Sequence, residues 1–287
     1  MILSGLSIFG DARYMGAAAP LFNAGEVEVV EWTVDSWDAG PPPEEAAAIL
    51  GHFSETGNLI GHGVNYPLLD AGADKKRAEW LSSLKTEVKQ RSYCGVSVHF
   101  GFSTGWEIAD GAPLPVPFCD SALECGREAM RALASAAGCR VGIENLALAF
   151  SGRDAETQGA FITALLEETD GYLLLDLHNI YCQSHNFGVD MLALAGTYPL
   201  SRVKEMHVAG GSWSETEGSW DRIRRDTHDG RIPDEVLEAL PQVMAKCPNL
   251  EYVIFEKLPG SFEADADEES FRADFRRMKQ AVQNATG

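Results

Sequence analysis

Residues 140–177 read RVGIENLALAFSGRDAETQGAFITALLEETDGYLLLDL. Two short apolar runs, 140–145 and 172–177, flank a segment at 155–168 whose apolar residues recur at helical spacing. Strand, helix and strand in that order form the repeating unit of a parallel sheet covered by helices. Each run also closes on a carboxylate, Glu144 in the first and Asp176 in the second.

The same alternation extends both ways along the chain. Candidate strands lie at 3–9, 26–32, 59–64, 95–100, 140–145, 172–177, 202–208 and 251–256. Helical patterns lie at 43–54, 73–89, 121–137, 155–168, 233–245 and 268–284, each placed to cover the exterior of the sheet. Eight strands predict an α/β fold, a closed TIM (β/α)8-type barrel, with residues 1–287 as a single domain, close to the ~250 residues typical of such barrels. Asp120-Ser121 and Gly138 supply start and stop signals for the third of these helices. Residues 101–117 form a long loop after the fourth strand, on the C-terminal face where such barrels carry their function.

Seven of these strands end on a chemically capable side chain: Glu31, His62, His99, Glu144, Asp176, His207 and Glu256. Scattered surface charge would not recur at that position. With apolar strand interiors, the last side chains converge on one mouth of the barrel, and Asp226-Thr227-His228 joins them from the loop after the seventh strand. Carboxylates crowded there raise one another's pKa and lose hydration, so bound cations are expected as compensation. Imidazole and carboxylate donors without thiolate suit Fe, Mn or Zn. His62, His99, Glu144, Asp176, His207, Asp226, His228 and Glu256 are too many for one ion.

Other histidines and acids read differently. Glu31, flanked by Glu26 and Glu28, is a polar residue at the mouth before it is a ligand. His52 falls on an exterior helix. His178 and His185 lie in a segment expected to loop over the site, and are candidates for contact with substrate or for support of the ligands. Cys182 reads as a buried structural thiol.

Composition narrows the function further. Forty-three acidic against 23 basic residues give a net charge of −20, which repels nucleic acid and anionic membrane. Six cysteines without a Cys-x-x-Cys pair argue against a disulfide scaffold or zinc ribbon. The opening lacks a basic flank and no apolar run reaches ~20 residues, so neither a signal peptide nor a membrane span is expected and the cytoplasm is the expected compartment. No Walker or dinucleotide pattern is present.

With these residues in view, the chain resembles the multinuclear non-heme iron-dependent oxidative enzymes, a TIM-barrel family whose relatives include the methanobactin- and thiaglutamate-biosynthesis oxidases. The likeness runs through Gly61-His62-Gly63-Val64, the strand ending at His99, Ile143-Glu144-Asn145, Leu174-Leu175-Asp176 into Asn179-Ile180-Tyr181, Met206-His207-Val208-Ala209-Gly210, Asp226-Thr227-His228 and Phe255-Glu256. It implies two or three irons, as Fe2+/Fe3+, with O2 as co-substrate. The substrate would be a cysteine of a ribosomally made precursor peptide, presented by a small companion protein. His62, His99 and Glu144 would hold one iron. Glu144, Asp176, His207 and Glu256 would surround a second, and Asp226, His228 and Asn179 a third. Residues 99–105 and 113–118 resemble the branch that acts on a C-terminal cysteine. Two positions depart from the family pattern: His178 stands where Asn is usual, and Gly211 closes a motif that usually ends in His. The opening Ser7-Ile8-Phe9-Gly10 differs as well.

Two other functions fit parts of the sequence. A divalent-metal sugar isomerase or endonuclease of the xylose-isomerase-like group also lines its strand ends with Glu, Asp and His, although the acidic surface disfavours the endonuclease. A non-catalytic binding subunit would keep the barrel, but the complete donor set argues against it.

Overall fold

The computed structural model describes residues 1–35, 40–103, 113–214, 222–262 and 264–287. Eight parallel strands close into a barrel in chain order, β1 pairing with both β2 and β8. They are β1 (Leu3–Ile8), β2 (Val29–Thr33), β3 (Leu59–Gly63), β4 (Gly95–His99), β5 (Arg140–Glu144), β6 (Tyr172–Asp176), β7 (Val203–Val208) and β8 (Tyr252–Phe255). The helices among the described residues are α1 (Ala12–Asn23), α2 (Glu44–Thr56), α3 (Asp74–Gln90), α4 (Asp120–Ala137), α5 (Gly152–Leu166), α6 (Leu177–Phe187), α7 (Met191–Ala195), α8 (Asp234–Met244) and α9 (Asp265–Thr286). None is long and apolar enough to cross a membrane.

Alternate residues of each strand face opposite ways. The outward set, including Leu6, Val30, Val98, Ile143, Leu175, Met206 and Val253, packs under the helices as one continuous core. The inward set is of a different kind. Val29, Ile60 and Ile254 form a small apolar plug, and Tyr172 lies over Gly142, where a Cβ would fall 2.5 Å from the ring. The glycine makes room for a large ring in the floor of the barrel. Above this floor the lumen is polar: Ser7, Ser97, Glu31 and Glu205 are all buried. The expectation of apolar strand interiors therefore holds for the outer face and the floor of the barrel, not for the lumen above it.

Three local expectations are corrected. Residues 177–187 are helix α6 rather than a loop over the site, because Asp176 caps the helix by accepting from the Asn179 amide at 2.5 Å. Helix α1, which carries Pro20 within it, and the short α7 have no counterpart among the expected helices. Asp120 opens α4 as its first residue, with Cys119 at the cap position and no side-chain cap bond, whereas Gly138 ends the helix in the left-handed conformation at φ 65° as expected. Of the long loop after β4, residues 104–112 lie outside the described residues, and Phe102 pairs with Leu114 across it.

Candidate metal centre

The strand ends bring the expected donors together. Glu144 Oε2 lies 3.3 Å from His62 Nε2 and 3.2 Å from His99 Nε2. His207 Nδ1 lies 3.1 Å from Glu256 Oε2 and 3.9 Å from Asp176 Oδ2. His228 Nδ1 lies 3.2 Å from Glu256 Oε1. Donors bonded to one ion at about 2.1 Å in tetrahedral or octahedral geometry stand about 3.0–3.4 Å apart, and four of these five spacings fall in that range.

Hydrogen bonding does not account for the arrangement. Glu144 Oε2, Asp176 Oδ2, Asn179 Oδ1, Glu205 Oε1, and Nδ1 of His99, His207 and His228 are buried without a well-formed hydrogen bond among the described residues. Orphaned donors and acceptors at this density are costly unless something else binds them. Four overlapping groups have ligand atoms within 4.8 Å of one another: His62, His99 and Glu144; Glu144, Asp176 and His207; Asp176, His228 and Glu256; and, deeper, Glu31, Glu205 and His207. The donor chemistry and the orphaned atoms fit a multinuclear transition-metal centre.

Around these groups, neighbouring side chains fix which atom each ligand presents. Ser97 Oγ takes His62 Nδ1 at 2.8 Å, which leaves Nε2 for Glu144. Glu31 Oε2 takes His207 Nε2 at 2.8 Å, which leaves Nδ1 for Asp176 and Glu256. Glu31 is itself held by the Ser7 hydroxyl, and Tyr14 donates to the Ser7 carbonyl. Asp226 bridges His228 Nε2 at 2.7 Å and His178 Nδ1 at 2.6 Å. His228 adopts φ 52°, a left-handed backbone uncommon for a residue with a side chain.

Titration follows from this crowding. Burial pushes His207 down, but Glu31 and Glu256 outweigh it and hold the imidazolium well above its ordinary range. His228 is raised in the same way by Asp226 and Glu256 against burial. Burial, then Asp226 and Glu144, push Asp176 well up, and burial, then Glu31, do the same to Glu205. Burial lowers both His62 and His178. The metal-free chain thus holds protons where cations would otherwise balance the carboxylates.

The geometry groups some residues differently from the expectation. The amide nitrogen of Asn179 donates to Glu144 Oε1 at 3.3 Å and to the Asn145 carbonyl at 2.9 Å, and its Oδ1 has no hydrogen-bond partner among the described residues. Asp226 stands behind His228 rather than within a group. His178 is fully buried and supports Asp226. His185 is exposed on α6, its ring against Tyr181 at 4.3 Å and Trp213 at 5.7 Å. His52 is exposed on α2, and Cys182 is buried beside His178. The departures at 178 and 211 are spatial neighbours, for a Cβ on Gly211 would fall 2.8 Å from His178 Cε1. The imidazole at 178 fills the space that a side chain at 211 would need. Glu205 was not anticipated. Its signal is its position two before His207, which puts both on one face of a strand.

Comparison with known proteins places the chain. Residues 18–259 match the family described as RiPP precursor modification enzyme MbnB/TglH/ChrH. The chain is 30% identical over 223 residues to a UPF0276 protein of Acaryochloris marina, covering 77% of this chain and 74% of that one. A UPF0276 protein of Chromobacterium violaceum is 29% identical over 211 residues, covering 73% and 72%. In fold, the chain resembles endonuclease IV from Thermus thermophilus, with a TM-score of 0.56 at 16% identity over 98% of this chain and 99% of that one. It also resembles the IOLI protein with a bound zinc atom, at 0.60 and 10% identity over 99% and 98%.

Proposed function

Because this chain belongs to the RiPP precursor modification enzyme family MbnB/TglH/ChrH, we propose that it binds two or three irons at the barrel mouth and uses O2 to oxidise a cysteine residue of a ribosomally made precursor peptide. The observation that carries this reading is the run of four overlapping donor groups, one of which shares Glu144, Asp176 and His207 in turn with the other three, with several of their buried polar atoms left orphaned in the barrel. His62, His99 and Glu144 would hold one iron; Glu144, Asp176, His207 and Glu256 a second; and Asp176, His228 and Glu256, with Asp226 behind, a third. Bound iron supplies the redox chemistry that passes electrons from the cysteine residue to O2. The chain's own residues do the rest. Ser97 and Glu31 orient the imidazoles, Asn179 and Asn145 tie the Glu144 and Asp176 strand ends together, and the buried lumen keeps water from the reacting group.

In this reading a small companion protein recognises the leader of the precursor peptide. The isomerase or endonuclease alternative shares the barrel with its structural neighbours, and that likeness is one of fold. Mass spectrometry of a precursor peptide incubated with the chain, companion protein, ferrous iron and O2 tests the proposal. The expected result is an O2-dependent mass change that a Cys→Ser peptide does not show. An unchanged peptide alongside turnover of a free sugar phosphate would transfer the assignment to the isomerase.

A further inference from the structure

Beyond β7, Trp213 pairs with Arg224 in an antiparallel bridge. Arg224 lies in an open cleft with Tyr181, Gly211, Arg231 and Arg277. Two of the three guanidiniums there are already neutralised. Arg231 pairs with Asp274 at 2.9 Å, and Arg277 pairs with Asp274 at 3.1 Å and with Asp234. Arg224 differs. It is only 7% exposed, and among the described residues its Nε has no hydrogen-bond partner and no carboxylate pairs with it.

A buried guanidinium is strongly disfavoured without a counter-charge, and no carboxylate among the described residues supplies one. Instead Arg224 lies over the rings of Tyr181 at 5.3 Å and Trp213 at 5.6 Å. Its backbone is clamped by Asn186, which takes the Arg224 amide at 2.8 Å and donates to its carbonyl at 2.9 Å. Nη2 donates to His178 Nε2 at 3.3 Å, which is free to accept because Nδ1 donates to Asp226. The line then continues through Asp226 to His228 and Glu256. We infer that Arg224 anchors a carboxylate of the substrate through its guanidinium, which lines this cleft and is linked through His178 and Asp226 to the candidate metal centre. This rests on reading the barrel mouth as the reaction site. A terminal α-carboxylate and an Asp or Glu side chain share the required chemistry, and a planar fork suits either.

Calorimetric titration of the iron-loaded chain under argon with three thiol-free probes tests the anchor. N-acetylalanine carries an α-carboxylate, N-acetylglutamic acid α-amide a side-chain carboxylate, and N-acetylalaninamide none. The expected result is that one acid binds roughly tenfold or more tighter than the neutral amide, which identifies the carboxylate's source, and that Arg224→Gln abolishes the preference while Arg224→Lys keeps part of it. Equal binding of all three probes would overturn the inference, as would a preference that survives in Arg224→Gln, since the acid would then be ligating iron. If Arg224→Gln does not fold, the metal-stripped wild type decides: an acid preference that persists there supports Arg224, and one that vanishes contradicts it. Because the probes lack a thiol, the outcomes separate. Acid recognition without peptide oxidation would sink the proposed function alone, and peptide oxidation without acid recognition would sink the anchor alone.

Discussion

Glu144 offers one oxygen to two imidazoles at nearly equal distance, and removing it takes a shared donor from two groups at once. Glu144→Ala is expected to lose metal and activity together, while His52→Ala on the exposed face of α2 shifts stability by only ~0.5 kcal/mol. Metal analysis beside a melting curve checks both, and equal losses at the two positions would refute the assignment. Glu31 makes a subtler case. Glu31→Ala leaves the buried Nε2–H of His207 without its acceptor, so metal affinity should fall about 10–100-fold and stability by about 1–3 kcal/mol. An unaltered metal titration would show that His207 needs no such support. The sequence displayed Glu144, Asp176 and the histidines because each closes an apolar run. It obscured Glu31 among Glu26 and Glu28, and it hid Glu205 inside a strand, since depth within a barrel depends on register between strands distant in sequence.

At the scale of elements, the junction of β6 and α6 gives Asp176 two duties. Oδ1 caps the helix and Oδ2 faces His207. Asn caps a helix about as well as Asp, whereas Ala forfeits roughly 1 kcal/mol. Asp176→Asn should therefore retain the metal-free melting temperature more closely than Asp176→Ala, while both bind metal poorly; a metal-replete Asp176→Asn chain would show that the cap is the residue's main role. The β7 exit is tighter. Gly211→Ala would set a Cβ 2.2 Å from the Arg225 carbonyl and 2.8 Å from His178, and calorimetry should show a loss of stability with weakened metal binding. The strands and most helices were legible from periodicity because each buries one continuous face. Helix α1 was not, because its Ala-rich run is interrupted by Pro20, and α6 was not, because its functional polar residues resemble a loop.

For the molecule as a whole, protons and cations compete for one crowded mouth. His207 and His228 are raised above the ordinary 6.5, so the stability they contribute is complete below about pH 6.5 and is lost as pH rises through their folded values. Asp176 and Glu205 are raised above 3.8 and 4.5, and the folded chain again holds protons that the unfolded chain has released. His62 and His178, lowered from 6.5, act in the opposite sense but fall silent once both states are neutral. Between about pH 7 and 9 the metal-free chain should therefore melt at falling temperature. Ferrous iron added under argon should flatten that fall and release protons; a metal-free melting temperature that rises with pH would contradict the sign. The circular order of ligands around the barrel could be read from the sequence, because each strand ends at the same rim. Their grouping around a shared Glu144 came from the family resemblance and not from periodicity, since it depends on distances across the mouth. The most direct test is elemental analysis of the chain purified anaerobically from iron-replete cells. The account predicts about two to three irons per chain; less than about one transition-metal ion per chain, with no activity gained on anaerobic addition of ferrous iron, would contradict it.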